Sequence, residues 1–218
     1  DDVSSEKLQK IHASGAIADL RDGDLAKFDR EVFRKMLGLG PLMVEGILVP
    51  KGGRIHVVHV SVDELRLWND AVNGGGPNTP ANYDIRKVGD QYPPTVGATP
   101  KMKVVYLINF GPNKNTMGDD NIAWGKSQKL RPETPRTVFA VAKDNPNLDE
   151  VLGMKGCMGL VSLKESSFEG DRRAPYVWWH DAERVANLDF FDSVWRGHDW
   201  FAFSREEELA IGASGPEV

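Results

Sequence analysis

Cysteine is almost absent from this chain, and several patterns that mark enzymes are absent altogether. The 218 residues contain one cysteine and five histidines, so no disulfide can form within the chain. Cys157 lies in an apolar stretch and is expected to be a small buried residue. There is no glycine-rich phosphate loop between a strand and a helix, no nucleophile elbow and no metal-ligand spacing. The sequence therefore disfavours an enzyme and predicts neither a metal ion nor a cofactor.

Positive charge and long apolar runs are also scarce. The formal net charge is -5, whereas a nucleic-acid-binding surface normally shows a basic stripe. No apolar run reaches the roughly 18 residues that a membrane helix needs. We therefore expect a soluble protein with no nucleic-acid partner and no membrane span. A single cysteine suits a reducing compartment or an organelle interior, and a start at Asp1 rather than Met is compatible with removal of a leader.

Hydrophobic spacing divides the first part of the chain into a helix and two strands. Residues 24–37 carry apolar side chains at helical spacing, with Asp24 as the N-terminal cap. Branched residues at 42–49 and 54–60 predict two strands, and the turn residues at 50–53 predict that these strands form a hairpin.

A second helix follows, and then a region rich in glycine and proline. This helix is predicted to begin at Ser61 or Asp63, where either side chain can cap it. Residues 73–100 have too little apolar content to offset the cost of ordering, so we expect an arm or a link. Residues 102–110 predict a buried strand, and residues 111–135 are predicted to be irregular.

The rest of the chain alternates branched or aromatic runs with one longer amphipathic run. Short runs predict strands, and apolar residues at helical spacing after Asp181 predict a helix with that residue as its cap. The predicted strands are 137–142, 158–163, 176–179 and 200–203, and the predicted helix is 181–195.

The order strand, strand, helix, loop, strand therefore occurs twice. This order predicts an α+β fold in which helices pack on one face of a largely antiparallel sheet. Two interpretations stay open: a duplicated strand-strand-helix-strand unit, or a single sandwich with long loops. The expected organisation is a helical segment at 1–40, a first α+β half at 41–111, a linker at 112–135, a second half at 136–204 and an acidic tail at 205–218.

Two histidine-aspartate pairs flank the helix predicted at 181–195. A helix of about fourteen residues is about 20 Å long, so the pairs are expected to lie too far apart for one shared metal or acid-base site. Asp181 as the N-terminal cap and His198 as a group facing the free carbonyls at the C-terminal end explain the two pairs more simply. The four residues are kept as a candidate polar pocket for a small ligand: His180, Asp181, His198 and Asp199.

Aromatic residues are concentrated near the C-terminus, and most of them are expected to fill a core. A strand, however, places Trp178 and Trp179 on opposite faces. One of the two rings is then left on the far side of the sheet, where large aromatic residues often anchor protein contacts. The candidate interface residues are Trp178, Trp200, Trp124 and Tyr83.

Taken together, these patterns favour a non-enzymatic structural or interaction protein. It would self-associate as a homo-oligomer or act as a subunit of a larger assembly with a partner protein. The alternative is a small-molecule-binding or carbohydrate-binding protein, or an enzyme, whose pocket is walled by tryptophan residues.

Overall fold

The computed structural model describes residues 38–95, 97, 99–154 and 156–205, together with positions 32, 34 and 35. It divides the chain into two compact units, 1–52 and 53–218. Most of the helix predicted at 24–37 and nearly all of the acidic tail lie outside the described residues.

The described part of the first unit contains a tight β-hairpin. β1 (Met43–Val44) pairs antiparallel with β2 (Ile47–Leu48). Glu45 and Gly46 connect them with positive φ angles of 48° and 80°, which match the twist of the flanking strands. The hairpin predicted around residues 50–53 is therefore wrong, because the turn comes earlier and the next strand has another partner.

The second unit is built around one mixed sheet. Its elements in chain order are β3 (Arg54–Val62), α1 (Trp68–Gly75), a 3-10 helix (Asp84–Gln91), β4 (Lys101–Asn109), α2 (Gly118–Ser127), β5 (Leu130–Pro132), α3 (Pro135–Asp144), α4 (Leu148–Val151), β6 (Cys157–Val161), β7 (Ser166–Phe168), β8 (Asp171–His180), β9 (Glu183–Phe190) and β10 (Asp199–Arg205).

The strands follow the order β3-β4-β10-β6-β8, with β7 and β9 also paired to β8 and β5 paired to β10. Among the described strands every pair is antiparallel except β10 with β6. The predicted α+β class with a largely antiparallel sheet is confirmed. Strands from both predicted halves share this sheet, and the duplication and the five-part division stay predictions.

Helices α1, α3 and α4 and the 3-10 helix cover one face of the sheet, which we call the first face. Valine, leucine and tryptophan side chains from alternate strand positions meet them there. Val177, Trp179 and Trp200 are examples, each at most 3% exposed. Burying a large side chain contributes about 1.5–3 kcal/mol, so this layer holds the helices to the sheet.

Aromatic rings and α2 cover part of the opposite, second face. Phe201 and Phe203 point there because side chains alternate along β10. Trp124 of α2 meets the ring of Phe203 edge to face at 6.3 Å, and Trp195 meets that of Phe201 at 5.9 Å. The expectation that 111–135 is irregular is wrong for α2. This helix packs closely on the sheet at Gly125, where a Cβ would lie 2.4 Å from Phe203 Cε1.

The strand predicted at 137–142 is wrong, because these residues belong to helix α3. The Thr134 side chain caps the helix by accepting a hydrogen bond from the backbone N–H of Thr137 at 3.3 Å. Pro135 occupies the first turn, where a missing N–H costs nothing. This Thr-Pro start signal outweighs the β-branched composition that suggested a strand.

The helix predicted at 181–195 is also wrong. Asp181 does not cap a helix but adopts a left-handed conformation, φ 51°, in the tight turn between β8 and β9. Along β9, Ala186 and Leu188 face the first-face core, so the pattern has the period of two that defines a strand. The apolar residues of this segment also recur at helical spacing, so their pattern alone fits a helix as well as a strand. The pairing with β8 shows that the segment is a strand.

The segment predicted as an arm, 73–100, is packed against the sheet over much of its length. The Asn78 N–H donates to the Arg184 carbonyl at 3.1 Å, and the Ala186 N–H donates to Thr79 Oγ1 at 2.7 Å. These bonds cover the outer edge of β9. Ile85, in the 3-10 helix, is completely buried.

Replacing Gly76 with alanine tests this packing. A Cβ at Gly76 would lie 2.1 Å from the backbone nitrogen of Ala186, so we expect a loss of about 2–3 kcal/mol in unfolding free energy by chemical denaturation. Gly74→Ala is the matched control, because its Cβ would meet only the side chains of Arg66 and Lys143 at 3.2 Å. Equal effects of the two changes would contradict the packed segment.

Candidate aromatic and acidic groove

A groove of about 660 Å³ lies on the second face of the sheet. It runs between the hairpin of β8 and β9 and the loop that leads into β10. The residues that line it are Tyr176, Trp178, Asp189, Asp192, Ser193, Val194, Trp195, Arg196, His198 and Asp199. We refer to it below as the groove.

Strand alternation brings the aromatic wall of the groove together. Tyr176 and Trp178 are two positions apart on β8 and therefore point to the same face. Trp178 is half-buried, and its ring meets the ring of His198 edge to face at 5.2 Å. On the neighbouring strand Asp189 points to the same face, because Leu188 beside it faces the core.

Gly159 lies beside two of the residues that line the groove. Gly159 of β6 is paired with Trp178 of β8 on one side and with Asp199 of β10 on the other. A Cβ at this position would lie 2.5 Å from Asp199 Oδ1 and 3.6 Å from Trp178 Cε3. The missing side chain therefore leaves room for the Asp199 carboxylate.

Asp199 is the most deeply placed acid of the groove, at 7% exposed. Its Oδ2 accepts a hydrogen bond from the backbone N–H of Arg196 at 2.7 Å, and its Oδ1 is 3.7 Å from His198 Nε2. Burial raises the pKa of Asp199, and the nearby Asp189 charge adds to the effect. The Arg196 N–H and the charges of His198 and Arg196 oppose it only in part.

Tyr176 presents a protonated hydroxyl to the same groove. Burial raises its pKa to about 12, and the charges of Asp189 and Asp199 act in the same direction. A hydrogen bond with Asn187 opposes this shift. Near neutral pH the tyrosine is therefore a hydrogen-bond donor as well as an acceptor.

An ion-pair network holds the outer rim. Arg172 contacts Asp192 at 2.8 Å, Asp119 of α2 at 3.0 Å and Glu165 at 2.5 Å. Its guanidinium also lies 4.2 Å from the centre of the Phe191 ring. These contacts tie the rim residue Asp192 to α2 and to the loop before β7, although exposure weakens each pair.

The structure brings one of the two predicted histidine-aspartate pairs into the groove. His198 and Asp199 line it, whereas His180 and Asp181 lie in and beside the β8–β9 turn with highly exposed side chains. The predicted separation by a helix of about 20 Å does not apply, because that helix does not exist.

The four residues predicted for an interface lie in different places. Trp178 is in the groove, and Trp124 packs half-buried in the aromatic layer of the second face. Tyr83 packs half-buried on the first-face core. Trp200 is 1% exposed and so has no surface left to present to a partner.

Sequence reasoning missed Gly159, Asp189 and Tyr176 as parts of the site. Tyr176 and Asp189 could have been found by reading 176–190 as a hairpin of two alternating strands. No local signal identifies Gly159, because its role depends on a parallel neighbour 40 positions away in β10. Cys157, predicted to be buried, is exposed at the start of β6.

The described residues include no group of three or more histidine, cysteine, aspartate or glutamate side chains that could hold a metal ion. Among the helices of the same residues, none has both the length and the apolar character for crossing a membrane. Comparisons of the chain with models of protein families, with curated proteins and with solved structures found no match.

Replacing Asp199 with asparagine tests the buried carboxyl. Because the pKa of Asp199 is raised in the folded state, the folded protein holds this proton more tightly than the unfolded chain does. That contribution to stability is complete below pH of about 4 and is lost as pH rises through the folded-state pKa. We expect Asp199→Asn to gain stability relative to the parent protein between about pH 3.5 and pH 7.

Denaturant unfolding at several pH values measures this difference. The same change at the exposed residue Asp120 reports the effect of losing a carboxylate without burial. If Asp199→Asn instead became less stable relative to the parent as pH rose, the carboxyl would be stabilised as an anion, contrary to its surroundings.

Proposed function

We propose that the groove binds a neutral, polyhydroxylated ligand such as a sugar residue. The observation that carries the proposal is the position of Trp178, a half-buried aromatic ring in a groove that also holds three aspartate side chains. Ligand sites in proteins typically combine apolar or aromatic walls with a few fixed polar groups.

The aromatic part suits the apolar face of a sugar ring. Trp178 and Tyr176 project from one strand, so both rings are held by the sheet. The edge-to-face contact with His198 supports the Trp178 ring from the loop side. An aromatic ring held in this way offers a large apolar surface with little entropy left to lose on binding.

The polar part suits hydroxyl groups, each of which is both a donor and an acceptor. Asp189 offers carboxylate oxygens as acceptors, and Tyr176 and Ser193 each offer a hydroxyl. Asp199, whose pKa is raised, adds a donor whenever it is protonated. Hydrogen-bond acceptors and donors therefore both line the groove.

The charge of the groove argues against an anionic ligand. Three aspartates face one arginine among its lining residues, so phosphates and nucleic acids would meet like charge. The self-associating assembly that the sequence favoured is a competing proposal, and it predicts a different result in the same experiment.

Screening a set of neutral oligosaccharides, followed by calorimetry, tests the proposal. We expect Trp178→Leu to weaken binding by about thirty-fold, because an anchoring aromatic contributes about 2 kcal/mol. Trp178→Phe keeps a ring and should lose less. The matched control Trp124→Phe removes an indole from the aromatic layer outside the groove.

Two outcomes would contradict carbohydrate binding. The first is tight binding of a polyamine with no binding of neutral sugars, which would indicate that the aspartates select a cation. The second is an oligomer on size-exclusion chromatography that dissociates in Trp178→Leu, which would favour assembly through this surface.

A further inference from the structure

A second cavity, of about 270 Å³, lies on the helical side of the molecule. It is enclosed by the loop before α1 and by one side of α3, and so belongs to the first face. Its charged lining residues are Asp63, Arg66, Arg136, Lys143 and Asp144. We call it the cationic cleft.

Arg136 is the unusual member of this set, because its cationic side chain is buried. The residue is 5% exposed and stands in the first turn of α3. Its Nη1 donates to the Arg66 carbonyl and its Nη2 to the Tyr92 carbonyl at 2.9 Å, whereas the buried Nε has no acceptor within the described chain. A buried cation near a helix N-terminus is unfavourable unless negative charge lies close by.

The nearest acidic residues do not neutralise Arg136 directly. Burial lowers its pKa, and the charges of Glu64 and Asp63 oppose this from a distance. Glu64 Oε1 is already 3.2 Å from Lys103 Nζ, and Asp63 Oδ1 accepts the backbone N–H of Leu65 at 3.0 Å. Glu64 is therefore paired with Lys103, whereas Asp63 keeps its negative charge among the residues that line the cleft.

Two more cations converge on the cleft. A Cβ placed on Gly74 would lie 3.2 Å from both Arg66 Nη1 and Lys143 Cδ, so both side chains approach the same point beside α1. The Lys143 ammonium is 3.5 Å from Asp144 Oδ1 and is exposed enough to turn toward a ligand. These three cations outnumber Asp63 and Asp144, the two acids that line the same cleft, so the net charge of the lining is positive.

We propose that the cationic cleft binds an oxyanion of the phosphate or sulfate class. The anion is either free in solution or the monoester group of a larger ligand. Arg66 supplies a planar fork of donors that matches such an oxyanion, and Lys143 supplies a point charge. The buried guanidinium of Arg136 stabilises the negative charge of the bound oxyanion electrostatically, without direct contact. The site is separate from the groove, which lies on the other face of the sheet.

Thermal unfolding of the full chain tests the proposal with inorganic phosphate as the probe. At about 10 mM phosphate we expect a higher Tm than in sodium chloride of equal ionic strength, because a ligand that binds the folded state stabilises it. The variant Arg66→Gln with Lys143→Gln should lose this difference. Its matched control is Lys126→Gln, which removes an exposed lysine from α2 on the second face.

Titration calorimetry then compares inorganic phosphate with phenyl phosphate. Tighter binding of the monoester assigns the cleft to a phosphorylated ligand, and tighter binding of inorganic phosphate assigns it to the free anion. In either case the double variant should bind about ten-fold more weakly. The proposal fails if chloride stabilises as well as phosphate, or if the double variant keeps the phosphate effect.

Discussion

The close approach of three strands at Gly159 is the constraint on which the groove depends. This residue lies between β8 and β10, and the absence of a side chain lets Asp199 Oδ1 lie 2.5 Å from the position that a Cβ would take. Loss of solvent then raises the pKa of the buried Asp199 carboxyl, and the charge of Asp199 helps to raise the pKa of Tyr176. The missing side chain at Gly159 thus makes room for the Asp199 carboxyl, whose burial raises its pKa.

The two candidate sites lie on different faces of the same sheet. Its second face carries the acidic and aromatic groove, and helix α3 on the first face carries the cationic cleft. Between them lies the first-face core, in which Trp179 and Trp200 are buried. The segment that contains Asn78 protects the outer edge of β9, so the groove wall is not left as an open strand edge. Neither region depends on the other for its local geometry.

The fold class could be predicted from the sequence because strong local signals marked several of its elements. The strands at 102–110, 158–163 and 200–203 follow from apolar runs bounded by turn residues. The segments 137–142 and 181–195 are predicted wrongly because their apolar residues fit both a helix and a strand. The Thr134 cap makes the first a helix, and pairing with β8 makes most of the second a strand. His198 and Asp199 were recognised as polar candidates, but their meeting with Trp178 requires the parallel pairing of β10 with β6, which no local pattern encodes.

The measurement that bears most directly on the groove is a carbon-detected NMR titration of the Asp199 carboxyl, in the parent protein and in Gly159→Ala. The parent should titrate above the ordinary aspartate value of 3.8. In Gly159→Ala the new Cβ should displace the carboxylate toward water, so that its pKa returns toward that value. An Asp199 that titrates at or below 3.8 in the parent protein, or that does not respond to Gly159→Ala, would contradict the dependence of the groove on this glycine.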